Sequence, residues 1–340
     1  MSRFTRSALI LAFAGALAIP VAARAPITIK LATITPVNSS WHKALLDMGN
    51  EWNTKTAGRV KLTVYAGGTQ GDEAAVIRLM RPGVDQLHAS LLMAPGLAQI
   101  DPAFDVFGMP FFFQDDAEAS AVVKKLAPTL ETKVNAKGFH ILGWGSAGWV
   151  QLFSKKPLKT LEDVKAAKMY TSQGDEKSVQ WYKSNGFHPV ALNANDIPAQ
   201  LKLPNGMIDT APMPPYPVLM LQVFRDAKYM LDVRVAPLLG ALVISNNAWN
   251  KIDAADQKIV ADAAQAFEKR VMVDAPKQDA DSVATMKTRG LLVQALDPKA
   301  ATEFRAAADK LVPAMRGALV PADMFDAATR ERDAFRKTRK

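Results

Sequence analysis

The chain has 340 residues, with 42 Lys and Arg against 33 Asp and Glu, 49% hydrophobic residues and no Cys. The lack of Cys excludes disulfides, thiolate-bound metal and a Cys nucleophile together, and the length exceeds what one compact core holds, so two domains are expected. The formal charge of +9 falls by three, to +6, if Arg3, Arg6 and Arg24 leave with the N-terminus. Because basic and acidic residues alternate along most of the chain, this charge reads as a solvated surface.

In chain order, Arg3 and Arg6 precede an uncharged run from Ala8 to Ile19, then Pro20 and the small-residue pattern Ala23-Arg24-Ala25. This is the layout of an export signal cut after Ala25, and a run of about a dozen residues is too short to span roughly 30 Å of hydrocarbon. No later stretch is apolar enough to span, so a free protein of the periplasm is expected. Ile27 to Thr33 alternates like a strand, and Ser39 or Ser40 can cap a helix with Trp41, Ala44, Leu45, Met48 and Trp52 on one face. Val60 to Tyr65 reads as a second strand, Asp72 to Met80 as a helix after the Gly67-Gly68 turn, and Leu87 to Leu92 as a third strand. Alternation of this kind points to an α/β layer with a largely parallel sheet.

After Phe111-Phe112-Phe113 and a helix from Asp115 to Asn135, strands are expected at Phe139 to Leu142, Val150 to Phe153 and Lys168 to Thr171, with a short helix at Leu161 to Val164 and another through Trp181-Tyr182. Pro237 to Ile244 reads as a buried strand, and Asn247 to Lys287 as a helix long enough to strut between domains, with Pro276 inside it. The prolines of Pro212 to Pro217 exclude helix and central strand and predict a rigid loop.

Gly143-Trp144-Gly145-Ser146-Ala147-Gly148 fits G-x-G-x-x-G, but strand-like residues follow it, whereas a nucleotide site needs a helix there. It reads as a glycine hinge between two strands. His42, His88, His140 and His188 have no paired-ligand spacing, and pairs such as Asp115-Asp116 and Asp279 with Asp281 read as caps and solvated faces. The basic C-terminus from Arg330 lacks the aromatics of a nucleic-acid groove. No metal site, cofactor, nucleic-acid partner or catalytic constellation is expected, and hence no enzyme.

Several segments occur in an order that resembles the DctP-like solute-binding proteins of tripartite ATP-independent periplasmic (TRAP) transporters. Ile29-Lys30-Leu31-Ala32 with Pro36, Ser39 and His42 is similar to that family's opening, and Gly58-Arg59-Val60 through Val64-Tyr65-Ala66-Gly67-Gly68-Thr69-Gln70-Gly71 to its "GRVKV-x-VYPGGQLG" segment. Met109-Pro110-Phe111-Phe112-Phe113 resembles "LPFLF", Lys156 to Lys165 resembles "KPVKTPEDLKG", and Gly206-Met207-Ile208-Asp209 resembles "GVVDG". The resemblance implies a two-domain Venus flytrap with mixed, mostly parallel sheets and a long domain-spanning helix, closing on a small molecule and delivering it to a membrane permease. The boundaries expected are 1–25 for the signal, 26–147 with 237–278 for the first domain, 148–236 with 279–320 for the second, and 321–340 for a basic tail. A monomer is expected.

The resemblance also implies two arginines and an asparagine gripping an organic acid. By motif order these positions hold Tyr170, Val150 and Met213 here. A buried carboxylate without charge-assisted donors loses several kcal/mol, so the expected ligand is not a simple carboxylate but an aromatic, apolar or cationic molecule. Trp41, Trp149, Tyr170, Met213 and Tyr216 supply π-faces and polarizable surface for it, Glu73 a carboxylate, and Ser90 and Gln173 polar groups at strand ends, where α/β clefts place ligand contacts. The alternatives are an organic-acid binder with a different clamp, and an orphan binding or sensing protein of the cell envelope.

Overall fold

A computed structural model describes residues 25–339; the expected signal, apart from Ala25, lies outside the described residues. The chain runs β1 (Ile27–Ala32), α1 (Ser40–Lys55), β2 (Val60–Tyr65), α2 (Glu73–Met80), β3 (Ala89–Met93), α3 (Ala94–Ala98), α4 (Asp116–Asn135) and β4 (Phe139–Ser154). It continues through α5 (Leu161–Ala166), β5 (Lys168–Ser172), α6 (Glu176–Ser184), β6 (His188–Leu192), α7 (Ile197–Lys202), β7 (Thr210–Met213), α8 (Pro215–Met220) and β8 (Tyr229–Ser245). It ends with α9 (Asn246–Trp249), α10 (Ala254–Lys287), β9 (Leu292–Gln294), α11 (Pro298–Met315) and α12 (Ala322–Lys337).

Local chemistry sets the early boundaries. The Ser39 side chain accepts from His42 N and caps α1, Asp72 accepts from Ala75 N and caps α2, and Asp115 accepts from Glu118 N and caps α4. On α1 the expected face of Trp41, Ala44, Leu45, Met48 and Trp52 is buried.

The strands are hydrogen-bonded in the order β2-β1-β3-β8-β4-β7-β5-β6, with β9 on β8. β1–β2, β1–β3, β5–β6, β5–β7 and β8–β9 are parallel; β3–β8, β4–β7 and β4–β8 are antiparallel. The two long antiparallel strands make this one path serve two lobes. β4 and β8 pair from Phe139 with Ser245 to Ser154 with Tyr229, and the register shifts between Ser146 and Trp149 and again between Val150 and Leu152. On one side of those shifts two buried apolar clusters cover β1, β3 and the near ends of β4 and β8. On the other side two more clusters cover β5 to β7 and the far ends.

The helix α10 joins the lobes. Its 34 residues extend about 50 Å at 1.5 Å per residue. Val260, Ala263, Ala264, Phe267 and Val271 pack into the first lobe, and Met286 into the second. Pro276 removes one intrahelical hydrogen bond between these stretches.

Three local expectations need correction. The glycine run is not a hinge between two strands: β4 is continuous through Gly143 to Gly148, and its irregularities absorb the twist at the lobe crossing. The proline cluster is not a loop. Pro212 lies in β7 between β4 and β5, where the β5 ladder consists of the single pairing Met169 with Thr210, so no bond is asked of its missing N–H. Pro215 opens α8, where a missing N–H costs nothing. The expected basic tail is α12, packed on α4: Arg332 stacks 4.2 Å over the Phe112 ring, and Arg336 Nε lies 2.7 Å from the buried Glu118 carboxylate.

Candidate functional site

The C-terminal ends of the parallel strands in both lobes meet across one cleft, where α/β sheets place ligands. Loops from the first lobe touch loops from the second. Asn195, after β6, donates to Gly68 O at 3.2 Å, and a Cβ on Gly174, after β5, would lie 3.1 Å from both Ala74 and Gln99. A side chain here would crowd α2, and the φ of +88° favours glycine. Ser40 N donates to the Tyr216 hydroxyl at 2.8 Å, Ser40 Oγ to Gln278 Oε1 at 3.1 Å, and Lys177 Nζ to Leu319 O at 3.0 Å.

Glu73 begins α2 and is buried. Its Oε1 accepts from Met93 N at 2.6 Å, and a second backbone bond comes from Gly96. The carboxylate therefore sits at the N-terminal turn of α3, where two amides and the helix dipole favour it. Burial nevertheless pushes it up to about 8, and neighbouring Asp72 adds to the shift.

Tyr170, near the end of β5, has its hydroxyl 3.4 Å from Ser172 Oγ. Burial raises it to about 12, and the charges of Glu73 and Asp72 push the same way.

The remaining candidates divide by sheet geometry. Met213 shares the Tyr170 cluster. Val150 lies beyond the register shift that separates it from Leu152, whereas Gln151 stands directly across from Met213 and so shares the face of Phe153, Tyr170 and Met213. Trp41 meets Tyr216 edge to face at 5.2 Å, which joins the first lobe to α8. Trp149 is buried in the first lobe's core, with Nε1 donating to Asp116 Oδ1 at 2.8 Å. Ser90 is buried inside β3 rather than at its end, and its hydroxyl is held by Ala32 O at 2.7 Å. Gln173 is exposed just past β5.

The structure corrects the reading of Asp279 as a solvated face and brings forward Asp105, which the sequence reading passed over. Asp279 of α10 accepts from Trp149 N at 3.0 Å and Tyr216 N at 3.2 Å and ties the β4 crossing to α8. Burial raises it to about 7. Asp105, in a 3-10 turn of the first lobe, is also raised to about 7, by burial and then by Asp175, the N-cap of α6 in the second lobe. Nothing in the local sequence distinguishes either acid from a solvated one. Among the described residues no cluster of His, Cys, Asp and Glu could hold a metal ion, and no helix is long and apolar enough to cross a membrane. Two surface hollows, about 580 Å³ beside Lys168, Lys183 and His188 and about 300 Å³ beside Asn50 and Asn53, lie outside the cleft.

Comparison with known proteins agrees with this architecture. A solute-binding protein of Verminephrobacter eiseniae is 26% identical over 279 residues, covering 80% of each chain. A TRAP periplasmic solute-binding protein of Pseudomonas putida F1, solved with D-glucuronate, superposes with a TM-score of 0.80 at 23% identity, covering 91% of this chain and 97% of its own. The sugar acid binding protein of Advenella mimigardefordensis, solved with galactonate, superposes with a TM-score of 0.84 at 15% identity, covering 91% and 99%. Residues 31–317 match the profile of the bacterial extracellular solute-binding proteins of family 7, DctP. The chain belongs to that family.

Proposed function

We propose that this protein captures a small ligand between its lobes in the periplasm and delivers it to a TRAP-type membrane permease, and that the ligand is not a simple carboxylate. The observation that carries the second clause is the burial of Tyr170 against the apolar cluster of the second lobe, at the position where the resemblance implies a carboxylate-clamping arginine. By the order of the family's motifs, Tyr170, Val150 and Met213 stand where the resemblance implies two arginines and an asparagine. None of these three side chains offers a carboxylate a bidentate, charge-assisted donor. Tyr170, Met213, Trp41, Tyr216 and Gln173 are the wall residues in this reading, with Glu73 behind them.

The domain boundaries that suit it are 26–147 with 237–278, and 148–236 with 279–320. Closure follows from the ligand contacting both lobes at once, since a ligand shifts the equilibrium only by its preference for the closed form. A second reading, an organic-acid binder with a different clamp, is favoured by the sugar acids in the two solved neighbours. Arg234, whose guanidinium lies 5.7 Å from the Trp149 ring centroid, is then the cation to examine.

A thermal-shift screen separates the two. A ligand at 100 times its Kd adds about 2.7 kcal/mol of stability. Aromatic or cationic compounds should raise the Tm; shifts with sugar acids and dicarboxylates alone would establish the second reading.

A further inference from the structure

On the Tyr170 face of the second lobe lies a polar group that the fold leaves unpaired. Gln151 is 8% exposed, and its Oε1 is buried without a hydrogen-bond partner. It stands directly across from Met213 in the β4–β7 ladder. The strand β5 ends at Ser172, which pairs with Leu192 at the end of β6. Asn193 follows immediately, just past the strand, and its Oδ1 is also buried and unpaired. Two orphan amide carbonyls thus lie in the second lobe, one across from the last residue of β7 and one just past the last residue of β6. Gln294 has a third such atom, but it pairs across from Leu231, which pairs with Leu152, and so belongs to the opposite face.

A buried carbonyl without a donor costs about 1–3 kcal/mol, and proteins retain such groups where something else completes them. We infer that Gln151 and Asn193 are ligand-binding residues of the second lobe, and that they accept hydrogen bonds from a small molecule presenting hydroxyl or N–H donors. This rests on the cleft-binding reading and adds to it the donor character of the ligand.

The test uses Gln151→Met, which keeps volume and removes the amide, and Asn193→Leu, with sorbitol, glucosamine, glucuronate and succinate as probes. At neutral pH the first three carry donors and succinate carries none. At least one donor-bearing probe should bind the wild-type chain, and each substitution should weaken it tenfold or more, about 1.4 kcal/mol. The ligand-free Tm of Gln151→Met should equal or exceed that of wild type, because an unpaired polar group has been removed.

The inference is overturned if no donor-bearing probe binds, if binding survives both substitutions, or if Gln151→Met lowers the ligand-free Tm by several degrees, which would mean the amide is already paired. Glucuronate binding that depends on Gln151 would overturn the non-carboxylate reading while leaving this one standing. Glucosamine binding indifferent to both substitutions would do the reverse.

Discussion

Gly148→Ala tests the joint between the lobes. Gly148 has φ +100°, and a Cβ there would overlap the Asp279 carboxylate. The backbone term is about 1–3 kcal/mol for a side chain held in that region. Displacing the carboxylate also breaks its bonds from Trp149 N and Tyr216 N, each worth about 1–3 kcal/mol when the donor is left buried. Gly83→Ala is the control, because its φ is +87° and nothing lies within 4 Å of its added carbon. It pays the backbone term alone, so Gly148→Ala should be less stable than the control by about 2–6 kcal/mol. At about 2–4 °C per kcal/mol for a chain of this size, its Tm should lie about 4–24 °C lower. In an Asp279→Ala background the added carbon has room, and the cost of Gly148→Ala should shrink to that of the control. Thermal unfolding by circular dichroism measures all four variants. Equal Tm values for the two single alanine variants, or an unchanged cost in the Asp279→Ala background, would refute the joint.

Two further outcomes follow from charge. Asp105 moves from an ordinary value of 3.8 to about 7 on folding, so between those limits the folded chain holds a proton that the unfolded chain has released, and stability falls as pH rises through that window. Asp105→Asn should therefore gain Tm over wild type at pH 8 and not at pH 3.5; equal gains at both would show that charge is not the cause. Tyr170→Arg places a bidentate donor near the end of β5, so glucuronate affinity measured by calorimetry should rise at least tenfold, about 1.4 kcal/mol. No gain in a variant that also carries Val150→Arg and Met213→Asn would refute the assignment of these three positions.

Much of the first lobe was legible because its signals are local. Ser39, Asp72 and Asp115 cap the helices they were expected to start or precede, and strands β1 and β2 match their alternation. The expected strut is α10, which begins at Ala254 after the short α9. Proline and glycine chemistry misled where pairing overrode propensity: β7 accepts Pro212 because its ladder has opened on that side, and β4 carries its glycines through the crossing as irregularities. Single-residue roles were least legible. A buried serine and an exposed one look alike in sequence, so the use of the Ser90 hydroxyl by Ala32 O could not be foreseen.

By itself the sequence determined the α/β alternation, the long helix and, through the order of its motifs, the family, because these depend on periodicity, caps and contiguous segments. Only the tertiary structure decided which side chains share a face. The β4–β7 register brings Gln151 to the face of Met213 and Tyr170, since residues directly opposite each other in a ladder share a face. It also decided which acids are buried. Glu73, Asp105 and Asp279 become weak acids only when a second element, distant in sequence, closes over each and takes its water away.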